Sequence, residues 1–179
     1  ADQFDNIMTY DFAIVFDEEK DAAQQTAFQS ETKDVLSTSV FVCTDTISAD
    51  TNEGMKDVNV IATGDPNISS LINMHANGQT LAYPPDGSVS ISDKLARIAG
   101  VSVGDKIRVR VDDTHESELT VSAIFENYVY HYMLMTPATY ETIYGKPCAY
   151  EAALANSALA DQHEAAAIIM DDHGAANVS

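Results

Sequence analysis

The stretch from Val89 to Val111 constrains the fold of this chain more than any other. Val89 and Ile91 alternate with serines, which is the period of a half-buried strand. Ser92 then stands where a helix N-cap belongs, and the apolar residues after it follow helical spacing. Gly100 can end that helix in the left-handed conformation. We therefore predict a strand, a short helix and a glycine stop in close succession.

A second strand follows directly. Gly104-Asp105 predicts a tight turn. Beyond it, apolar residues alternate with basic ones, so one face of the strand is predicted to be core and the other solvated. The apolar positions are Ile107, Val109 and Val111, and the basic ones are Lys106, Arg108 and Arg110.

The two ends of the chain show the same order of elements. The N-terminal end predicts a strand, a helix and a strand, and so does the C-terminal end. The ranges are Tyr10 to Phe16, Asp21 to Leu36 and Thr38 to Ile47, then Pro147 to Leu154, Ala160 to Asp172 and Ala175 to Ser179. Ser48 to Gly54 is predicted as a polar loop, and the middle of the chain consists mostly of strands.

Charge excludes several classes of partner. The chain has 179 residues, 28 of them acidic and nine basic, with a formal net charge of -19. Such a surface repels nucleic-acid phosphates and anionic lipid headgroups, so no nucleic-acid partner is expected. No apolar run approaches the roughly 20 residues that span a bilayer. We expect no signal peptide in this sequence.

Several segments together resemble the extracytoplasmic domain of FtsX-like and MacB-like ABC-transporter permeases. The resemblance lies in the order strand, Ser-Asp-Lys-Leu-Ala, Gly-Val-Ser-Val-Gly-Asp-Lys-Ile, strand within the central stretch. It continues through Thr120 to Tyr128 and Tyr132 to Gly145, and Gln3-Phe4 to Tyr10-Asp11 is similar to the segment after the first membrane helix of that family.

The resemblance implies an architecture and partners. It implies an α+β fold in which a split ferredoxin-like lobe, residues 1–56 and 146–179, carries an inserted β-rich lobe, residues 57–145. The chain would be an excised extracytoplasmic part of a cell-membrane protein. Its partners would be a cytoplasmic ATPase subunit, a second permease subunit and an extracytoplasmic protein or cargo.

No residue is assigned to catalysis, to a cofactor or to a metal. There is no Gly-x-Ser-x-Gly elbow, no Cys/His signature and no phosphate loop. His163 and His173 are ten positions apart, so they lie more than two helical turns from each other. We therefore predict that this domain is not an enzyme. The resemblance implies that it couples ATP hydrolysis on another chain to the engagement of a partner or cargo.

Two sets of residues remain as candidate sites. Tyr128, Tyr130 and Tyr132 alternate with Val129, His131 and Met133, which predicts a strand with one tyrosine face that contacts a partner or packs against a neighbouring strand. The two cysteines, Cys43 and Cys148, fall in predicted strands. In the split lobe that the resemblance implies, those strands can pair, so a disulfide is one hypothesis and buried thiols are the other.

Two other functions stay open. The glycine turn of the central stretch also occurs in double-psi barrels, so a stand-alone ligand- or protein-binding module of that type is the alternative. It requires strands that close on themselves and no matching strand–helix–strand at the two ends. A small hydrolase or metal enzyme is the third, and a cleft with perturbed carboxylates would favour it.

Overall fold

The computed structural model describes residues 8–179, which form 11 strands and four α-helices. The predicted lead-in up to Ile7, including Gln3-Phe4, lies outside the described residues. The first half of the chain contains β1 (Phe12–Phe16), α1 (Ala22–Glu31), β2 (Leu36–Thr51), β3 (Gly54–Ala62), a 3-10 helix (Pro66–Ser70), β4 (His75–Ala76), β5 (Gln79–Thr80) and β6 (Ser88–Ser92). The second contains α2 (Asp93–Ala99), β7 (Lys106–Asp112), β8 (His115–Phe125), β9 (Tyr132–Met135), α3 (Pro137–Tyr144), β10 (Ala152–Ser157), α4 (Gln162–Asp172) and β11 (Ala175–Val178).

The described residues divide into two compact units. The terminal unit comprises residues 8–43, 65–72 and 149–179, and the barrel unit comprises residues 44–64 and 73–148. The division between the units falls inside β2, after Cys43. An α+β fold was predicted, and the mixture of helices and strands confirms it.

The terminal unit contains an antiparallel sheet in the order β11-β1-β10-β2. The two ends of the chain therefore form one sheet, because β1 pairs with both β10 and β11. Phe12, Ile14 and Phe16 of β1 are buried, as their alternation predicted. They share one core cluster with Phe28 of α1 and Ile169 of α4.

The helices of the terminal unit begin at polar caps. The Asp21 side chain accepts a hydrogen bond from the Gln24 N–H, and the Gln24 side chain accepts one from the Asp21 N–H. This capping box satisfies donors that the first turn leaves without partners. α1 ends five residues before the predicted boundary at Leu36, which already belongs to β2. In α4, Ile169 is buried in the core, whereas the Met170 side chain is exposed.

The strands of the barrel unit close on themselves. Their order is β2-β3-β9-β6-β8-β7, and β2 also pairs with β7. β3 pairs with β9 in parallel and β6 with β8 in parallel, whereas β6–β9, β7–β8 and β2–β7 are antiparallel. Closure of this kind pairs every strand of the barrel on both sides.

The central stretch folds as predicted. β6, α2 and β7 follow in order, and Gly100 ends α2 in the left-handed conformation at φ 69°. Ile107 and Val109 are buried while Lys106, Arg108 and Arg110 are exposed. The Arg108 and Arg110 guanidinium groups pair with Glu116 across the β7–β8 ladder, at 3.0 and 3.1 Å. The basic face is therefore largely balanced by the neighbouring strand.

Two predicted boundaries are wrong. The predicted loop from Ser48 to Gly54 is a hairpin, because β2 continues to Thr51 and β3 begins at Gly54 after a turn of two residues. The predicted strand from Pro147 begins at Ala152 instead. The local sequence is misleading at both boundaries, because polar residues lie at the first and a proline at the second. The strands there begin and end where distant strands pair with them.

Candidate partner-contact surface

Tyr128 and Tyr130 lie on a loop at one end of the barrel, whereas Tyr132 is the first residue of β9. β8 ends at Phe125 and β9 begins at Tyr132, so the residues from Glu126 to His131 connect the two strands. We call the last five of these residues, Asn127 to His131, the tyrosine loop. The predicted alternation over Tyr128, Tyr130 and Tyr132 is therefore wrong as a strand pattern. Its residues nevertheless remain together, because the Tyr130 and Tyr132 rings meet edge to face with centroids 6.5 Å apart.

The tip of the tyrosine loop exposes apolar surface. Tyr128 is 57% exposed, Val129 38% and Tyr130 68%. The sequence from Asn127 to Tyr140 contains no charged residue, although the chain as a whole has a net charge of -19. Single exposed apolar residues are ordinary, whereas three in succession on an uncharged loop indicate a surface that contacts another molecule.

The base of the tyrosine loop is held by two neighbouring strands and by a side chain of the loop itself. The Asn59 N–H of β3 donates a hydrogen bond to the His131 carbonyl at 2.9 Å. The Tyr132 N–H donates to the Ser92 hydroxyl at the end of β6, at 3.0 Å. The Asn127 side-chain amide donates to the Val129 carbonyl. Ser92 was predicted to cap α2 with its hydroxyl; it stands at the N-cap but binds Tyr132 instead.

Backbone strain is concentrated at the tip. Tyr130 has φ 63°, in the left-handed region. For a residue with a bulky side chain that conformation costs about 1–2 kcal/mol, because Cβ approaches the following carbonyl. Such strain persists where the surrounding structure imposes it, and it is concentrated at functional sites. The fixed base of the loop therefore presents Tyr130 to solvent against its local preference.

Two buried polar atoms of the tyrosine loop have no hydrogen-bond partner among the described residues. They are Asn127 Oδ1 and His131 Nδ1. Desolvation lowers the pKa of His131, and the positive charges of Lys94 and Lys56 lower that pKa further. His131 is therefore held in its neutral form at the base of an exposed aromatic tip.

The protonation of His131 makes a testable contribution to stability. The unfolded chain binds the proton at about pH 6.5, and the folded chain binds it at a lower pH. Protonation therefore favours unfolding, so this contribution to stability is lost as the pH falls through that window. We expect wild type to lose more stability than His131→Gln between about pH 7.5 and about pH 5.5, in urea titrations at each pH. Equal losses in the two proteins would contradict the assignment.

Sequence reasoning found the tyrosines but missed the residues that position them. Asn59 and Ser92 gave no signal, because their partners His131 and Tyr132 are distant in sequence. The one local clue is Asn127, since an asparagine side chain often hydrogen-bonds the backbone two residues on.

The perturbed carboxyl that the structure does show lies away from any cleft. Hydrogen bonds from the His115 side chain and the Thr114 N–H lower the pKa of Asp112 to about 2. These residues form the exposed turn between β7 and β8. The Thr114 hydroxyl and the Asp112 carboxylate both contact the same nitrogen, His115 Nδ1. A base that relays a proton from a nucleophile needs two different ring nitrogens, so this arrangement is a turn and not a relay.

No three or more His, Cys, Asp or Glu side chains in residues 8–179 are arranged to hold a metal ion. None of the helices in the same range has the length and apolar character needed to cross a bilayer.

The two cysteines are both among the described residues, and the structure joins them by no disulfide. Cys43 is buried in β2, and Cys148 is half-buried. The predicted pairing of β2 with β10 is present. Cys148, however, precedes β10 and so lies outside that ladder. The disulfide stays a prediction about the oxidised protein.

Comparison with known proteins identifies the fold. No protein-family model matches the sequence, and the curated proteins give no significant match. Among solved structures, the extracellular domain of the noncanonic ABC-type transporter YknZ from Gram-positive bacteria matches with a TM-score of 0.54 and 15% identity, over 91% of this chain and 95% of that one. The periplasmic region of MacB from Actinobacillus actinomycetemcomitans matches with a TM-score of 0.52 and 6% identity, over 96% of this chain and 88% of that one.

These matches cover residues of both units, and they define a class of fold. The chain has the fold of the extracytoplasmic domains of ABC-transporter permeases, as the sequence resemblance predicted. The two solved domains that show this fold here are those of YknZ and MacB.

Proposed function

We propose that this chain is the extracytoplasmic domain of an ABC-transporter permease of the FtsX/MacB type. It would lie at the outer face of the cell membrane, carry no catalytic centre and couple ATP hydrolysis in the cytoplasm to the engagement of cargo or a partner. The observation that supports this most strongly is the match to the YknZ extracellular domain, which extends over nearly the whole of both chains.

The topology of the terminal unit supports the finer fold assignment. Numbered along the chain, its four strands lie in the order 4-1-3-2, and the two helices connect strands 1 to 2 and 3 to 4. This strand order and these connections support our proposal of a ferredoxin-like β–α–β–β–α–β lobe. We infer that this lobe is split by the barrel, with residues 57–145 as the insert between residues 1–56 and 146–179.

The proposal assigns two groups of partners. A cytoplasmic ATPase subunit and a second permease subunit would act through the membrane part of the protein. An extracytoplasmic partner protein or cargo would contact the tyrosine loop, together with Tyr132. The exposure of Tyr128 and Tyr130 on an uncharged loop supports that contact, since aromatic side chains are enriched at the centres of interfaces.

The alternative function, a stand-alone binding module of double-psi-barrel type, keeps one point in its favour. The strands of the barrel unit close on themselves, as that alternative requires. Its second requirement fails, because strand–helix–strand is present at both ends and those ends share a sheet. The permease assignment accounts for both observations, so we prefer it.

The experiment that tests the proposal uses the full-length gene product in its own cells. We expect the protein to sediment with membranes, to copurify with an ATPase subunit and to lose this domain when protease is added outside intact cells or spheroplasts. A cytoplasmic protein of the same cells serves as the control for lysis. Recovery of the domain in the soluble fraction without an ATPase would contradict the proposal and favour the stand-alone module.

A further inference from the structure

The sheet of the terminal unit has one open edge. In the order β11-β1-β10-β2, the strands β1, β10 and β2 each have a neighbour on both sides, whereas β11 pairs with β1 alone among residues 8–179. Natural proteins commonly protect an open edge with a charged side chain or a proline, and β11 contains neither. A short length and a bulge next to Phe16 are the features that limit pairing there. The regular part of β11, after the bulge, therefore remains open to a further strand.

Val178 directs its backbone groups toward the open side of β11. Ala13 and Ser179 exchange both backbone hydrogen bonds, each at 3.0 Å, and Val178 lies opposite Ile14. Because hydrogen-bonded and non-hydrogen-bonded pairs alternate along an antiparallel ladder, the Val178 N–H and C=O point away from β1. The Val178 side chain packs against the core cluster of the terminal unit. A residue that pairs with Val178 on the open side therefore has its own side chain on the same, apolar face.

Carboxylates surround the end of the sheet at which β11 begins. The register defines this end, because Phe16 lies opposite Ala175 and the Phe16 N–H donates to the Glu151 carbonyl at 2.9 Å. The Lys20 N–H donates to the Tyr150 carbonyl there, and the Lys20 ammonium lies 5.2 Å from the centroid of the Phe16 ring. Six exposed acidic side chains belong to the segments that meet at this end, and none forms an ion pair within residues 8–179: Asp17, Glu18, Glu19, Glu151, Asp171 and Asp172.

The charge of the whole terminal unit has the same sign. It contains 13 acidic side chains against two lysines and two histidines. At the far end of β11, the carboxylates of Asp11 and Asp161 accept hydrogen bonds from backbone N–H groups. A second copy of this chain carries the same negative charge. Electrostatics therefore disfavours the pairing of two β11 edges and favours a positively charged segment.

An open edge, outward backbone groups and surrounding carboxylates fit one kind of partner. Sheet edges bind extended peptides by accepting them as an additional strand. We propose that β11 binds an extended polypeptide segment in which basic and apolar side chains alternate, as a strand antiparallel to β11. Its apolar side chains lie on the face of Val178, and its basic side chains pair with the carboxylates around the edge. This inference concerns the terminal unit alone and is independent of the partner contact proposed for the tyrosine loop.

The test measures fluorescence anisotropy of fluorescein-labelled peptides with the 179-residue chain, at about 0.15 M salt. One short peptide alternates lysine with valine, and a second replaces each lysine with glutamate. We expect the lysine peptide to bind and the glutamate peptide to show no binding. Absence of binding by the lysine peptide, or equal affinity for the two peptides, would overturn the inference.

Backbone methylation of the lysine peptide separates strand addition from simple charge attraction. In the proposed pairing, the valine N–H groups face β11 and the lysine N–H groups face away from it. N-methylation of the valines should therefore weaken binding about tenfold or more, because the hydrogen bonds to β11 are lost. N-methylation of the lysines keeps the same charge and should change the affinity by no more than about threefold. Equal losses from the two modifications would contradict strand addition.

A matched pair of variants tests the same hydrogen bonds from the side of the protein. Val178→Pro removes the outward N–H, and proline is tolerated on an edge strand where the N–H faces solvent. We expect this variant to fold, as measured by urea denaturation, and to lose the lysine peptide. Val178→Thr keeps the N–H and a β-branched side chain and should bind like wild type. Unchanged binding by folded Val178→Pro would overturn the inference, and if that variant is unfolded the methylated peptides decide.

Self-association through the same edge is tested in parallel. Sedimentation velocity of the chain alone is expected to show a monomer, because both edges carry negative charge. A dimer that Val178→Pro dissociates, with Val178→Thr still dimeric, would replace the basic segment by a second copy of this chain.

Discussion

Replacing Phe41 with alanine is expected to lower the free energy of unfolding by about 3–5 kcal/mol. Phe41 of β2 is buried, and its ring stacks on Phe16 of β1 with centroids 5.5 Å apart and meets Phe28 of α1 edge to face at 5.5 Å. Phe16 and Phe28 also meet each other, at 5.3 Å. The substitution would therefore leave a cavity where three elements of the terminal unit converge, in addition to removing apolar area.

Urea denaturation monitored by circular dichroism measures this effect. The control is Tyr128→Ala, which removes an exposed ring and should change stability by no more than about 0.5 kcal/mol. A loss below about 1 kcal/mol for Phe41→Ala would mean that the aromatic cluster does not hold β1, α1 and β2 together.

Under the permease assignment proposed above, replacing Tyr130 with asparagine is expected to reduce the activity of the full-length protein about tenfold or more without unfolding the domain. Asparagine tolerates the left-handed conformation that Tyr130 adopts, so about 1–2 kcal/mol of strain is relieved. Loss of the edge-to-face pair with Tyr132 removes about 0.5–1.5 kcal/mol. The two effects nearly cancel, so the change in stability should stay within about 1 kcal/mol.

The measurement is the ability of the variant to restore the phenotype of a strain that lacks the gene, at equal abundance in the membrane. Tyr130→Phe keeps the ring and should retain most activity. Met170→Asn alters an exposed apolar residue of the terminal unit and should have no effect. Full activity of Tyr130→Asn would remove the tyrosine loop from the partner-contact surface.

The sequence predicted those parts of the fold that depend on local chemistry. The path from β6 through α2 to β7 was predictable because an N-cap, a helical apolar face and a left-handed glycine each act over a few residues. The strand–helix–strand ends were predictable for the same reason. The resemblance to permease domains then supplied the class of fold, which periodicity alone does not reach.

The errors lie where distant residues decide the local conformation. Alternation of aromatic and other residues from Tyr128 to Tyr132 is typical of a strand, but Asn59 and Ser92 anchor the segment as a loop. The polar run before Gly54 resembled a loop, yet β7 pairs with Ser48 and Ala49 and keeps them in a strand. In both cases the residues that fix the conformation lie outside the segment, so the sequence of the segment does not reveal it.

The candidate site was predictable in part. The tyrosines were identified from their unusual density, and their exposure supports the hypothesis that they contact a partner. The lysines whose charges act on His131 could not be identified, because Lys56 lies 75 positions and Lys94 37 positions before it in the chain.

Closure of the barrel also restricts how the barrel unit can bind another protein. A sheet with an open edge can bind an extended peptide as an additional strand. Each of the six barrel strands described here already has a neighbour on both sides, so that mode is unavailable to the barrel itself. Contacts with another protein are therefore made by the loops that join the strands. These loops can differ in sequence among proteins of this fold while the hydrogen-bonded strands of the barrel stay the same.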